Sequence, residues 1–166
     1  MRIFHIPAYT DNYIWVMQSG SDISVIDPGD AAPVLELIRN NDLNLVDILL
    51  THHHFDHVGG TLELKKQLDG KVYGPIGDIE GVDINVSEND KVNTLGYEFS
   101  VLETPGHTLD HIAYVENKKL LVFCGDTLFS AGCGRVFEGK FEQMHNSIQK
   151  LNQLNPETII YCAHEY

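Results

Sequence analysis

The chain has 166 residues, 43% of them hydrophobic and 21% charged, which is typical of one globular domain with a sizeable core. Its 11 basic and 24 acidic residues give a formal net charge of −13, which argues against nucleic acid or an anionic membrane surface as a partner. The three cysteines lack zinc-finger spacing, and the first residues lack the pattern of a signal peptide. We therefore expect reduced thiols and a soluble, monomeric, cytoplasmic protein.

The first part of the chain predicts strands followed by a helix. The strand-like runs are residues 2–6, 13–17 and 23–26. A turn at residues 27–30 follows, and Asp30 can cap a helix that has Pro33 in its first turn. The buried face of that helix would carry Val34, Leu35 and Ile38. Residues 46–50 are then apolar except for Asp47, which predicts a buried strand.

The rest of the chain predicts more strands than helices. Gly59 and Gly60 indicate a loop that leads into a helix with Leu64 and Leu68. Strands are predicted at residues 71–73, 82–86, 99–102, 112–115, 120–123 and 158–161. The residues that share one face of a later helix are Phe141, Met144, Ile148 and Leu151. This order predicts an α/β protein and fits a four-layer αββα sandwich, although periodicity alone does not select it over other α/β folds.

The stretch THHHFDH at residues 51–57 is the most informative part of the sequence. It offers four potential metal ligands within six residues, namely His52, His54, Asp56 and His57. Imidazole suits zinc and its neighbours, while a carboxylate adds charge and can bridge two ions. Histidine clusters also occur as tags or loose tracts, but this one is internal and follows a predicted buried strand. We therefore interpret it as a metal site.

Three more candidate ligands follow strand-like runs downstream, namely His107, Asp126 and His164. One arrangement completes two coordination shells: His52, His54 and His107 on metal 1, Asp56, His57 and His164 on metal 2, and Asp126 as the bridge. Room remains for a shared water, the open position typical of a catalytic site. We expect Asp56 and Asp126 to be the catalytic carboxylates. The expected cofactors are two divalent ions, Zn²⁺ in first place, with iron and manganese left open.

The same residues carry a resemblance to a known family. The pattern His52-x-His54-x-Asp56-His57, with the three downstream ligands, resembles the signature of the metallo-β-lactamase fold superfamily. Within it, stretches that resemble the glyoxalase II family of hydroxyacylglutathione hydrolases are residues 10–13, 51–60, 104–108, 125–129, 132–135 and 164–166. The resemblance covers essentially the whole chain. It implies the sandwich fold, the seven-ligand assignment and cleavage of S-D-lactoylglutathione to D-lactate and glutathione, a step of methylglyoxal detoxification.

The resemblance also suggests substrate contacts. Arg135 stands where the family places a basic residue against a carboxylate of glutathione, and Tyr166 matches a glutathione-contacting tyrosine. Phe137 occupies a position that is tyrosine in some relatives. The chain stops at Tyr166, about where the family's helical C-terminal domain would begin. We therefore expect a shortened chain or a natural single-domain relative, with metal binding intact and poor turnover of glutathione thioesters.

Several residues keep two interpretations. Arg135 could be an ordinary surface arginine. His53 points away from its neighbours if the stretch is extended, so we expect that it is not a ligand. His111 could be structural or could support a ligand, and Asp27 could orient a ligand imidazole or be a plain turn carboxylate. Cys133 and Cys162 are expected to be buried small residues.

Other functions on the same scaffold stay open, because fold alone does not decide activity. A lactonase, a β-lactamase or a phosphodiesterase would use the same ligands. The missing signal peptide argues against a secreted β-lactamase, and the net charge of −13 argues against a nuclease. Di-iron relatives that process oxygen or nitric oxide usually carry Glu where His54 stands, together with a flavin domain. The remaining alternative is a metal-binding module without enzymatic activity.

Overall fold

The computed structural model describes residues Met1–Tyr166. The strands are β1 (Arg2–Ala8), β2 (Asn12–Ser19), β3 (Asp22–Ile26), β4 (Asn44–Leu49), β5 (Leu68–Pro75), β6 (Ile84–Val86), β7 (Lys91–Thr94), β8 (Tyr97–Glu103), β9 (Ile112–Glu116), β10 (Leu121–Gly125) and β11 (Ile159–Cys162). The helices are α1 (Ala31–Asn41), α2 (Phe55–Val58), α3 (Thr61–Lys65) and α4 (Phe141–Asn152). None of these helices has the length and apolar character that a membrane crossing requires.

The first sheet contains β1 to β6 in chain order. Strands β1, β2 and β3 pair antiparallel, whereas β3, β4, β5 and β6 pair parallel. Parallel neighbours need a crossover connection, and α1 supplies it between β3 and β4. Asp30 caps α1 as predicted, because its carboxylate accepts a hydrogen bond of 2.9 Å from the backbone N–H of Ala32.

The second sheet has the order β11-β10-β9-β8-β7. Strands β8, β10 and β11 run in the same direction, because β9 is antiparallel to both β8 and β10 while β11 is parallel to β10. Their carboxyl ends therefore lie at one edge of the sheet. The loops that leave this edge carry His107, Asp126 and His164. The order of strands thus brings together residues that are far apart in the sequence.

Apolar side chains define the four layers. Val34 of α1 and Leu64 of α3 belong to the cluster on the outer face of the first sheet. Leu49 of the first sheet and Phe123 of the second belong to the cluster between the sheets. Leu151 of α4 belongs to the cluster on the outer face of the second sheet. Burial of apolar surface on both faces of both sheets produces the αββα sandwich, so the predicted fold class is confirmed.

Two helix predictions were partly wrong. Helix α3 ends at Lys65, and Leu68 begins β5, where it pairs with Leu45 of β4. Pairing with a neighbouring strand therefore outweighed the helical spacing of Leu64 and Leu68. On α4 the side chain of Phe141 is 84% exposed, while Ser147 is buried. Phe141 is the first residue of its helix and lies beyond the part that packs on the sheet.

One strand and one burial prediction also failed. Strand β7 was not predicted, because Lys91–Thr94 is short and alternates polar and apolar residues at the edge of the sheet. Cys133 is exposed and Cys162 is half-buried, whereas both were expected to be buried. Cys133 lies in a loop, where no sheet or helix covers it. The three cysteines are free thiols, as expected.

Candidate metal centre

The first cluster consists of the imidazoles of His52, His54 and His107, whose candidate ligand nitrogens lie within 4.8 Å of one another. Nε2 of His107 lies 3.0 Å from Nδ1 of His54. With metal–nitrogen distances of about 2.0–2.1 Å, two imidazole ligands of one ion lie roughly 3–3.5 Å apart. The facing nitrogens therefore have the spacing that a shared metal requires.

The second cluster consists of Asp56, His57 and His164, whose candidate ligand atoms also lie within 4.8 Å of one another. Nε2 of His57 lies 3.3 Å from Nε2 of His164. Oδ2 of Asp56 lies 3.5 Å from each of these two nitrogens. One carboxylate and two imidazoles thus converge on a point next to the first cluster.

Asp126 lies between the two clusters. Its Oδ2 is 3.2 Å from Nε2 of His107 in the first cluster. Its Oδ1 is 3.4 Å from Nε2 of His57 and 3.3 Å from Nε2 of His164 in the second. Burial disfavours the charged carboxylate, but the neighbouring histidines outweigh burial and lower the pKa of Asp126 to about 2. A carboxylate with one oxygen directed at each cluster has the geometry of a bridging ligand.

The donor set fits two divalent ions. Nε2 of His52 is buried and has no hydrogen-bond partner. A buried polar atom without a partner is costly, and a metal ion would satisfy it. Burial, followed by the neighbouring histidines, lowers the pKa of His52, which favours the neutral imidazole that metals bind. Together, the clusters suggest a binuclear divalent metal site.

Asp27 supports ligands in both clusters. Its carboxylate is 3.1 Å from Nδ1 of His57. It also accepts hydrogen bonds of 2.8 Å and 2.7 Å from the backbone N–H and the hydroxyl of Thr51, and that hydroxyl lies 3.0 Å from Nδ1 of His52. Of the two interpretations of Asp27, the structure supports the one in which it orients ligand imidazoles.

The β1–β2 turn, which ends at Asn12, the first residue of β2, supplies contacts that the sequence did not predict. Asp11 Oδ1 lies 2.9 Å from Nδ1 of His164, and the side-chain amide of Asn12 donates a hydrogen bond of 2.8 Å to Oδ2 of Asp56. In the sequence, both residues belong to residues 10–13, one of the stretches that resemble the glyoxalase II family. The available signal was an acid and an amide placed together in a short turn between two predicted strands.

His111 and His53 differ in their relation to the clusters. The ring of His111 stacks on that of His52, with centroids 4.8 Å apart, and its Nε2 accepts a hydrogen bond of 3.0 Å from the backbone N–H of Asp126. Burial lowers the pKa of His111 to about 3, so the ring stays neutral as an acceptor. His53 instead lies 3.0 Å from Asp110 and 3.1 Å from Glu138, outside both clusters.

A cleft of about 540 Å³ opens above the clusters. The three residues named as substrate contacts all line it, namely Arg135, Phe137 and Tyr166. The guanidinium carbon of Arg135 lies 5.5 Å from the ring centroid of Phe137, and the ring of Tyr166 stacks on that of His164 at 5.6 Å. Nδ1 of His107 lies 2.8 Å from the backbone oxygen of Arg135, so the wall of the cleft also orients a ligand.

The chain is similar to known proteins over its full length. The model of the family described as the Metallo-beta-lactamase superfamily matches residues 10–80 and 74–164. A protein named hydroxyacylglutathione hydrolase from Ectopseudomonas mendocina is 48% identical over 170 residues, which cover 100% of this chain and 66% of that protein. The protein of the same name from Photobacterium profundum is 52% identical over 169 residues, with the same two coverages. The chain thus spans 66% of the length of these curated relatives.

A solved structure shows the same arrangement of layers. TTHA1623, crystallised in a di-iron-bound form, matches this chain with a TM-score of 0.81 at 28% sequence identity. The match covers 100% of this chain and 93% of TTHA1623. The similarity therefore extends over the whole sandwich.

Proposed function

Because the chain belongs to the metallo-β-lactamase superfamily, we propose that it is a metal-dependent hydrolase of glutathione thioesters, with S-D-lactoylglutathione as its first candidate substrate. The observation that carries the proposal is the position of the two clusters, joined by Asp126, at the floor of a cleft lined by Arg135 and Tyr166. The relatives named hydroxyacylglutathione hydrolase support the choice of substrate class.

The proposed cofactors are two Zn²⁺ ions, one for each cluster. His52, His54 and His107 would hold the first, while Asp56, His57 and His164 would hold the second, with Asp126 shared between them. Bound divalent ions supply Lewis acidity and lower the pKa of coordinated water toward neutrality, which suits the hydrolysis of an acyl group. Iron is the alternative metal, because TTHA1623, a structural relative, was crystallised in a di-iron-bound form.

The residues around the clusters bind and orient the substrate in this proposal. Arg135 is the one arginine or lysine that lines the cleft, in a chain of net charge −13. Its guanidinium can pair with a carboxylate of glutathione through two parallel hydrogen bonds. Phe137 and Tyr166 offer apolar faces on which the rest of the tripeptide can lie. Thiolate is a good leaving group, so the reaction needs no dedicated general acid.

A substrate panel tests the proposed function. Protein loaded with two Zn²⁺ ions would be assayed with S-D-lactoylglutathione, a small thioester without glutathione, a lactone, a β-lactam and a phosphodiester. We expect the two thioesters to be hydrolysed with kcat/KM values at least tenfold above those for the other three. The matched control is Asp126→Ala, which should abolish all metal-dependent turnover. A clear preference for the lactone, the lactam or the phosphodiester would overturn the thioesterase assignment.

A further inference from the structure

The β1–β2 turn touches only one of the two clusters. Asp11 lies 2.9 Å from Nδ1 of His164, and Asn12 donates to Oδ2 of Asp56, the oxygen that faces both His57 and His164. Two of the three members of the second cluster therefore depend on Asp11 and Asn12, which are adjacent where the turn meets β2. These two members, Asp56 and His164, come from parts of the chain that are distant in sequence.

The first cluster takes its support from other parts of the molecule. Nδ1 of His52 lies 3.0 Å from the hydroxyl of Thr51, which follows β4. Nδ1 of His107 lies 2.8 Å from the backbone oxygen of Arg135, in the loop after β10. Because neither contact involves the turn, a change in the turn can alter the second cluster without a direct effect on the first.

The turn is itself held firmly against the segment that carries His164. The backbone N–H of Tyr13 donates a hydrogen bond of 2.7 Å to the oxygen of Ala163, and that of Glu165 donates one of 3.1 Å to the oxygen of Asp11. Asn12 and His164 also form an isolated β-bridge. Backbone bonds on both sides of His164 thus fix the distance from Asp11 to the imidazole, independently of the carboxylate.

We propose that Asp11 and Asn12 are positioning residues that set the metal affinity of the second cluster alone. A carboxylate that accepts the Nδ1–H of His164 fixes the tautomer, so that Nε2 presents its lone pair to the ion, and increases the basicity of that nitrogen. The amide of Asn12 holds Oδ2 of Asp56 toward the same point. This inference rests on the proposed function, since it requires two bound metals.

Metal titration of four variants tests the proposal. The variants are Asp11→Ala, Asp11→Asn and Asn12→Ala, with Asn41→Ala as the control. Asn41 matches Asn12 in type, but its amide bonds the backbone of α1 far from the clusters. Stepwise dissociation constants would be measured by competition with a chromophoric chelator, and metal content by elemental analysis. We expect Asp11→Ala and Asn12→Ala to weaken one of the two metals about 10- to 100-fold, the usual effect of losing an outer contact to a ligand.

Asp11→Asn separates orientation from charge. Its amide oxygen can still accept the Nδ1–H of His164. The metal affinity of the second cluster in this variant should therefore lie between the affinities in the wild-type chain and in Asp11→Ala. To identify which of the two metals Asp11→Ala weakens, the change is also made in His107→Ala, a variant expected to weaken the first cluster. Adding Asp11→Ala to that variant should remove the remaining metal, whereas adding Asn41→Ala should not.

The possible failures are distinct. The proposal is overturned if Asp11→Ala and Asn12→Ala keep both wild-type affinities, or if they weaken both metals equally. If either alanine variant fails to fold, the same two outcomes in Asp11→Asn, namely two wild-type affinities or an equal loss for both metals, overturn the proposal. If the wild-type chain binds fewer than two metals at saturation, the proposed function fails and this inference fails with it.

Discussion

Arg135 contributes two different groups to the site. Its guanidinium lines the cleft, while its backbone oxygen lies 2.8 Å from Nδ1 of His107. Substitution of Arg135 removes the guanidinium and keeps the backbone oxygen. Arg135 was open to interpretation as an ordinary surface residue, and its place in the cleft wall is what favours a role in substrate binding.

Replacing Arg135 should therefore affect substrate binding and spare the metals. We expect Arg135→Ala to raise KM for S-D-lactoylglutathione about tenfold, because an exposed charge-assisted hydrogen bond is worth roughly 1.5 kcal/mol. KM for a small thioester and the metal content should not change. The control is Arg39→Ala on α1. Equal KM changes on both thioesters would contradict a contact with the glutathione part of the substrate.

Asp126 has a carboxylate oxygen within 3.5 Å of a member of each cluster. If it bridges two ions, Asp126→Ala should weaken both, whereas His107→Ala should mainly empty one. Elemental analysis after dialysis should then find well under one metal per chain for Asp126→Ala and close to one for His107→Ala, against two for the wild type. Small and equal losses in the two variants would count against the bridge.

At the scale of elements, the loop between β10 and α4 passes close behind the first cluster. A Cβ atom on Gly134 would lie 2.0 Å from the backbone oxygen of Asp126 and 3.0 Å from Nδ1 of His107. Contacts of that length are steric clashes, so only glycine allows the loop to pass here. Gly132, two residues earlier, has nothing within 4 Å of its corresponding position.

These two glycines form a matched pair. Gly134→Ala should push His107 or the Asp126 backbone out of place and cost about 1–3 kcal/mol of unfolding free energy, as overpacking usually does. Its melting temperature should fall by several degrees and the affinity of the first cluster should fall with it, whereas Gly132→Ala should match the wild type in both respects. Calorimetry and metal titration measure the two effects. A Gly134→Ala variant with wild-type stability and metal affinity would show that the loop can shift freely.

At the scale of the whole molecule, the two sheets meet at the clusters. His52 and His57 follow β4 of the first sheet, while His107, Asp126 and His164 follow strands of the second. Without metal, this junction of the sheets is a concentration of histidines and carboxylates whose protonation is coupled to folding. Stability of the metal-free chain should therefore depend on pH through these groups.

The direction of that dependence follows from two histidines. Burial lowers the pKa of His164, but the carboxylates of Asp126, Asp11 and Asp56 outweigh it and raise the pKa to about 9. Protonated His164 therefore contributes its full stabilisation of the fold below the ordinary histidine pKa of 6.5. This contribution is lost as the pH rises through about 9. His111 behaves in the opposite way: burial lowers its pKa to about 3, so its contribution is full above 6.5 and is lost as the pH falls toward 3.

The metal-free chain should therefore be most stable near pH 6.5, with lower melting temperatures near pH 5 and pH 9. The metal-loaded chain should lose less stability on the alkaline side, because the metal takes the place of the proton on Nε2 of His164 and leaves a neutral imidazole that does not titrate in this range. Calorimetry of chelator-treated and metal-loaded protein at the three pH values measures this. A metal-free melting temperature that stays constant or rises between pH 6.5 and pH 9 would show that the carboxylates do not hold a proton on His164.

The sequence by itself determined most of the elements, except α2 and β7, together with the cap at Asp30 and the seven side chains that converge at the clusters. These features are local: a strand or a cap depends on nearby residues, and an unusual density of histidines after an apolar run is visible without a structure. The same local pattern misled where neighbours outweighed it. Leu68 pairs with β4 and leaves the predicted helix, and Phe141 has no partner surface.

Only the tertiary structure decided which groups orient the candidate ligands. Asp11 and His164 are 153 residues apart in sequence, and Asp27 and His57 are 30 apart, yet each pair lies within 3.1 Å. The partner of a ring nitrogen depends on strand order and on the path of loops, which no periodicity encodes. Asp11 and Asn12 look like ordinary turn residues until the start of β2 is placed against the segment after β11, because the distance between chemical groups is a property of the folded chain.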